Sequence, residues 1–156
     1  MILLDNTVLS NFALIEQISL LEEYCGDKAA TTIYVFNEFE RGIKEELLPD
    51  IVLDWLKKLD LNEKENKSFL NLSEKLGKGE ASCLAIAMHR GYDFLSDDMA
   101  VRKIALREGI RLSGSIGVLL ELIRIRKISL KEGNNILNKF IKYGYYSPVD
   151  KLDGLF

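Results

Sequence analysis

Short apolar runs alternate along the chain with longer stretches whose apolar residues recur every three or four positions. Met1–Leu4 is apolar and stops at Asp5, too short and too abruptly ended for a helix, so it is expected to be a buried strand. From Val8 to Tyr24, the residues Leu9, Phe12, Ala13, Ile15, Ile18 and Leu21 fall at helical spacing. Thr31–Val35 is β-branched and aromatic, a second strand. Phe36, Phe39, Ile43 and Leu47 form a helix face that Pro49 ends. Ile51–Leu61 and Glu63–Leu76 read as two further helices. Gly77-Lys78-Gly79 breaks the chain before a helix over Glu80–Arg90. Tyr92–Ser96 is a third strand, Met99–Glu108 a helix and Ile110–Leu112 a fourth strand. A helix over Gly114–Arg126 follows, and Ser129 caps a last one to about Lys142. Strands alternating with helices imply βαβ units and a mostly parallel sheet.

Composition narrows the class. The chain has 156 residues, enough for one domain with its own core, here expected to span residues 1–156. Its 47% hydrophobic and 29% charged content are those of a folded globule and exclude disorder. Cys25 and Cys83 form no CxxC pair or His/Cys cluster, which points to buried, reduced thiols and a cytoplasmic setting. The N-terminus lacks a basic region before its short apolar run, so no secretory signal is expected. The longest apolar stretch, Ile116–Ile128, contains Glu121, Arg124, Arg126 and Lys127, which excludes it as a membrane span. Net charge is −3, but residues 1–78 are acidic and residues 79–156 basic. An acidic average argues against non-specific coating of nucleic acid, not against a basic rim around an acidic site.

Ligands in parallel sheets sit at the carboxyl ends of the strands, which directs attention to the residues there. The first strand delivers Asp5, and the third delivers Asp97 and Asp98. The helix after the second strand carries Glu38, and the Gly77-Lys78-Gly79 loop delivers Glu80 at a helix start. Each alone has an ordinary explanation as an N-cap, a first-turn acid or a solvated side chain. Gathered on one sheet edge they repel, and a cation is the usual remedy. Oxygen donors without His or Cys select a hard ion, Mg²⁺ or Mn²⁺, the ions of phosphoryl chemistry.

Asp5 in "LLDNTVLSNF", Glu38 in "TIYVFNEFE", Glu80 in "GKGEASCLAIA" and Asp98 in "FLSDDMAVRKIA" occur in an order that resembles the PIN-domain nucleases. These include the VapC-type toxins of prokaryotic toxin–antitoxin pairs. The stretch from Gly79 through "DDMAVRKIALREGIRLSGSIGVLLELIRIRKI" is similar to a prokaryotic PIN-like group with a DD-x-x-x-R run and a later G-[TS]-x-G-[VL]-L run. The resemblance covers nearly the whole chain. It implies a three-layer α/β/α sandwich around a mostly parallel sheet of about four to five strands. It also implies metal-dependent cleavage of RNA. Carried over by position, Asp5, Glu80 and Asp98, with Asp97 as an adjacent candidate, match the metal ligands. Glu38 matches the acid that orients or deprotonates the attacking water, or shares a metal. Thr7, Asn11 and Ser96 match supporting polar positions, whereas Asn6 stands where an apolar or small residue is common. The partners implied are an RNA substrate, a small antitoxin protein and a second copy of the chain, with no membrane.

Other features carry less. Arg102 follows Asp98 by one helical turn and is positioned to pair with it, and Arg102, Lys103 and Arg107 are candidates to hold an RNA backbone. His89 is the only histidine and makes no metal cluster by itself. Trp55, Leu56, Leu59, Phe69 and Leu72 read as core or as a partner-facing surface. Tyr143–Pro148 is aromatic-rich, a chain end packed on the core or a surface for stacking on bases. The rival to a metal-dependent ribonuclease is a PIN-like module that binds RNA or protein without cutting. Phosphotransfer folds fit less well. A haloacid-dehalogenase-like phosphatase wants a second Asp where Thr7 stands, and a receiver domain wants its acidic pair early rather than at Asp97-Asp98.

Overall fold

The computed structural model describes residues 1–156. In chain order it contains β1 (Ile2–Leu4), α1 (Asn6–Leu14), α2 (Ile18–Cys25), β2 (Ala29–Thr32) and α3 (Ile33–Lys44). Then come β3 (Lys57–Leu59), α4 (Glu63–Leu72), α5 (Lys78–Arg90) and β4 (Asp93–Leu95). The chain continues through α6 (Met99–Glu108), β5 (Leu112–Ser113), α7 (Ser115–Arg124) and α8 (Leu130–Lys142). The strands form one five-stranded sheet in the order β3-β2-β1-β4-β5, parallel throughout. Helices α1, α2, α7 and α8 pack on one another, while α3, α4 and α6 pack on α5. The result is the expected α/β/α sandwich.

Burial on both faces explains the strands' composition. Leu3, Leu4, Phe94 and Leu95 are buried in the central pair, and all of Ala29–Thr32 is buried beside them. The two hydroxyls of β2 are satisfied in place. Thr31 Oγ1 donates to the Leu4 carbonyl at 2.7 Å, and Thr32 Oγ1 shares a hydrogen bond with Ser82 Oγ at 2.7 Å. Both cysteines are buried free thiols, and burial pushes the Cys25 thiol up to about 12. No helix is long and apolar enough to cross a membrane.

Three expectations need correction. Ile51–Leu61 is not a helix: Leu53 and Leu56 are buried from a loop, and Lys57–Leu59 pairs with β2 as an added edge strand. Exposed lysines at 57 and 58 suit an edge that must not recruit another chain. The strand expected over Thr31–Val35 ends at Thr32, whose side chain caps α3 by accepting from the Val35 N–H, so Ile33 to Val35 are helical. Val8–Tyr24 is two helices rather than one, broken at Glu16, which has φ 57°. By contrast, Met99–Glu108 and the last helix fall where expected. Asp98 and Gly109 bound the former, and a Ser129–Glu132 capping box starts the latter.

The middle-segment apolar residues are core. Leu56, Leu59 and Phe69 are buried, and Phe69 stacks on Tyr34 with ring centroids 4.7 Å apart. A two-pronged ion pair ties α4 to α5: Arg90 donates to Glu65 at 2.8 and 2.9 Å and to the Asp60 carbonyl at 2.8 Å.

Candidate active site

The chain runs from β1 outward to β2 and β3, then returns to lay β4 and β5 on the other side of β1. Strand order therefore reverses between β1 and β4, where parallel sheets open a crevice at their carboxyl ends. Asp5 follows β1 and Ser96-Asp97-Asp98 follow β4, so both stand at that crevice.

Asp5 is completely buried and is tied at both oxygens. It caps α1: Oδ1 accepts from the N–H of Thr7 at 3.0 Å and of Val8 at 3.3 Å, and from the Thr7 hydroxyl at 2.5 Å. Oδ2 accepts from the Ser96 hydroxyl at 2.5 Å. Burial pushes its carboxyl up to about 6, although the Ser96, Thr7 and Val8 donors pull the other way. Asp98 caps α6, its Oδ1 accepting from the Val101 N–H at 2.9 Å. Its own N–H donates to Ser96 Oγ at 3.2 Å, so one serine joins the two acids.

Glu80 lies in the first turn of α5, beside Gly77 and Gly79. Burial pushes its carboxyl up to about 7, assisted by the negative charges of Asp98, Asp5 and Glu38. Three acids distant in sequence thus act on a fourth through space. Glu38, on α3, reaches across to α5 and accepts from the Gly79 N–H through Oε1 at 3.1 Å. A Cβ on Gly79 would collide with that oxygen, so a side chain there is incompatible with this approach.

Asp97 plays a different part from its neighbour. Oδ1 accepts from the Ser115 N–H at 2.7 Å, and Oδ2 from the Ser115 hydroxyl at 2.5 Å and Asn11 Nδ2 at 2.9 Å. Its N–H donates to Thr7 Oγ1 at 2.9 Å. Burial raises its carboxyl pKa against these donors and against the Arg102 charge. A Cβ on Gly114 would strike Asp97 Oδ1. The DD and G-S-I-G runs are therefore one structure: the first locks onto the N-terminus of α7 that the second begins. Ser115 and Gly114 were not singled out from the sequence, although the G-[TS]-x-G run pointed to them.

Arg102 does not pair with Asp98; its charge acts on Asp97 and Tyr145. Arg107 pairs with its neighbour Glu108 at 3.3 Å and Lys103 is exposed. His89 is exposed and hydrogen-bonds Ser68 Oγ at 2.8 Å. Two clefts reach the acids. One, lined by Tyr34, Asn37, Glu38, Arg41 and Lys78, lies on the β2 side. The other borders Asp97 on the β5 side.

The donor set suits a hard divalent cation, being all oxygen, with the charges of Asp98, Asp5 and Glu38 bearing on Glu80. Asn6 adds a buried Oδ1 without a hydrogen-bond partner one residue from Asp5. No three carboxylate, His or Cys side chains stand grouped so as to hold a metal ion between them. Uncompensated carboxylates keep apart, and Asp5 is committed to four protein donors.

No curated protein matches the chain. A family model described as a PIN domain spans residues 1–154, and the all-parallel sheet is consistent with it: the chain belongs to the PIN-domain family, which has a nuclease fold.

Proposed function

We propose that the protein is a Mg²⁺- or Mn²⁺-dependent endoribonuclease. What supports this reading is the gathering of acids at one sheet edge: Ser96 bonds both Asp5 and Asp98, Glu38 reaches the start of the helix that carries Glu80, and burial together with the charges of Asp98, Asp5 and Glu38 raises the pKa of Glu80. Asp5, Glu80 and Asp98 would hold the ion. When bound, it supplies a polarised water and stabilises the leaving oxygen of the phosphodiester. Glu38 keeps one carboxylate oxygen clear of the Gly79 N–H and is suited to orient or deprotonate the water. Ser96 holds Asp5 and Asp98 in register, while Thr7, Asn11 and Asp97 hold the surrounding frame. Asp97 is thereby read as a positioning residue rather than a ligand. Arg41 and Lys78 flank Glu38 and offer cations to the RNA backbone.

The toxin assignment, with a small antitoxin and a homodimer, rests on the resemblance of the four acids and the DD and G-S-I-G runs to VapC-type proteins. The second reading, a non-cleaving binding module, is favoured by the lack of three side chains grouped to hold a metal ion. Purified protein mixed with single-stranded RNA, with and without Mg²⁺ or Mn²⁺, separates the two. Asp5→Asn retains a good N-cap and is expected to abolish metal-stimulated cleavage. If that variant cuts as fast as the parent, the site is wrongly assigned.

A further inference from the structure

The cleft on the β5 side borders Asp97 but holds none of the proposed metal ligands. It has a volume of about 650 Å³, within the roughly 300–1,000 Å³ of small-ligand pockets. Its walls include Met99, Ile116, Tyr145, Tyr146 and Pro148, with Arg102 among its few polar groups. Asp97, adjacent in sequence to Asp98, is also among its lining residues.

Tyr146 is 95% exposed, yet its backbone is anchored on both sides. Before it, the chain turns at Gly144, with φ 106°, and the Tyr145 N–H donates to the Phe140 carbonyl at 2.9 Å. The Tyr145 ring packs edge-on against Phe140 with centroids 6.1 Å apart. After it, Ser147 Oγ bonds the Val149 backbone, and buried Leu152 donates its N–H to Asn134 Oδ1 at 2.8 Å. The segment beyond α8 is a strap tied at both ends that presents an uncovered aromatic ring at the cleft. Arg102 is exposed and in no ion pair, so its guanidinium remains available to an incoming anion.

We propose that this cleft is a nucleobase subsite. A base of single-stranded RNA next to the scissile position stacks on Tyr146, with its phosphate on Arg102. An aromatic ring and a guanidinium outside any ion pair, lining one cleft that also borders Asp97, match the alternation of bases and phosphates. A purely apolar partner surface would make no use of Arg102. The inference rests on the ribonuclease reading for its placement along the strand, but its test does not need cleavage.

The test uses the full chain carrying Asp5→Asn, without divalent ions, and a fluorescein-labelled single-stranded RNA hexamer. An abasic hexamer of equal length is the control, and anisotropy is the readout. Tyr146→Ala is expected to weaken binding of the base-bearing hexamer about tenfold while leaving the abasic one unchanged. Tyr146→Trp is expected to restore the difference, and Arg102→Ala to weaken both hexamers alike. Equal effects of Tyr146→Ala on both hexamers, or no binding by the parent, overturn the subsite. So does a Tyr146→Ala change confined to self-association in sedimentation, which would assign the face to a second copy. Metal-dependent cleavage with Tyr146 neutral sinks only the subsite. Base-selective binding in a protein that never cuts sinks only the nuclease reading.

Discussion

The two sides of the acidic edge are built on different terms. On the β4–β5 side, both oxygens of Asp97, like both of Asp5, accept hydrogen bonds from Ser and Thr hydroxyls, an Asn amide or backbone N–H groups. On the β2 side, Glu38 accepts only the Gly79 N–H, and Glu80 accepts from no side chain. A carboxylate with both oxygens hydrogen-bonded is held in place. One held by a single N–H retains lone pairs for another ligand. Asp97 belongs to the frame, and Glu38 and Glu80 keep the capacity to respond.

The strongest way to break that comparison is to remove one acid from each side. Asp97→Ala leaves Ser115 and Asn11 without their acceptor and is expected to cost about 2–4 kcal/mol in denaturant unfolding. Glu38→Gln is expected to stay within about 0.5 kcal/mol while removing cleavage. Equal stability costs would dissolve the distinction.

The pH dependence comes next. The folded carboxyls of Asp5 and Glu80 lie near 6 and 7, above their unfolded values of 3.8 and 4.5. The folded state therefore holds protons that the unfolded chain has already lost, and stability declines as pH rises between about 4 and 7. Asp5, fully buried, contributes at most roughly 3 kcal/mol to that decline. Thermal melts in chelator at pH 5 and 8 are expected to show the parent losing several degrees, with Glu80→Gln flattening the slope. Mn²⁺ should restore the parent at pH 8 and help Glu80→Gln less. A parent equally stable at both pH values would show that the acids are not crowded.

Gly79→Ala sharpens the contrast with the least cost in stability. The new methyl group meets the flexible end of Glu38, not backbone, so unfolding should shift by less than about 1 kcal/mol. Displacing Glu38 is expected to lower cleavage about 10- to 100-fold, measured as kcat with KM little altered. Unchanged kcat would mean that the Glu38 position is not required.

Much of this edge was legible because Asp5, Glu80 and Asp98 combine a strand end or loop with the start of a helix. The bounds of α6 and α8 were legible for the same local reason, their caps lying within a few residues. The misread segments lack such signals. Leu53, Leu56 and Leu59 repeat every three residues, as a helix face would, yet Leu59 closes a strand whose hydrogen bonds come from β2. The break at Glu16 has no Gly or Pro to announce it. The role of Asp97 was hidden because its partners, Asn11 and Ser115, are 86 and 18 residues away.

By itself the sequence determined the alternation of strands and helices, the acids at the strand ends and the family they resemble, because periodicity, caps and residue chemistry are local. Only the tertiary structure decided which acids bear on one another, which is already committed to the frame, and where Tyr146 stands. Those outcomes depend on strand order and on hydrogen bonds between segments far apart in the chain.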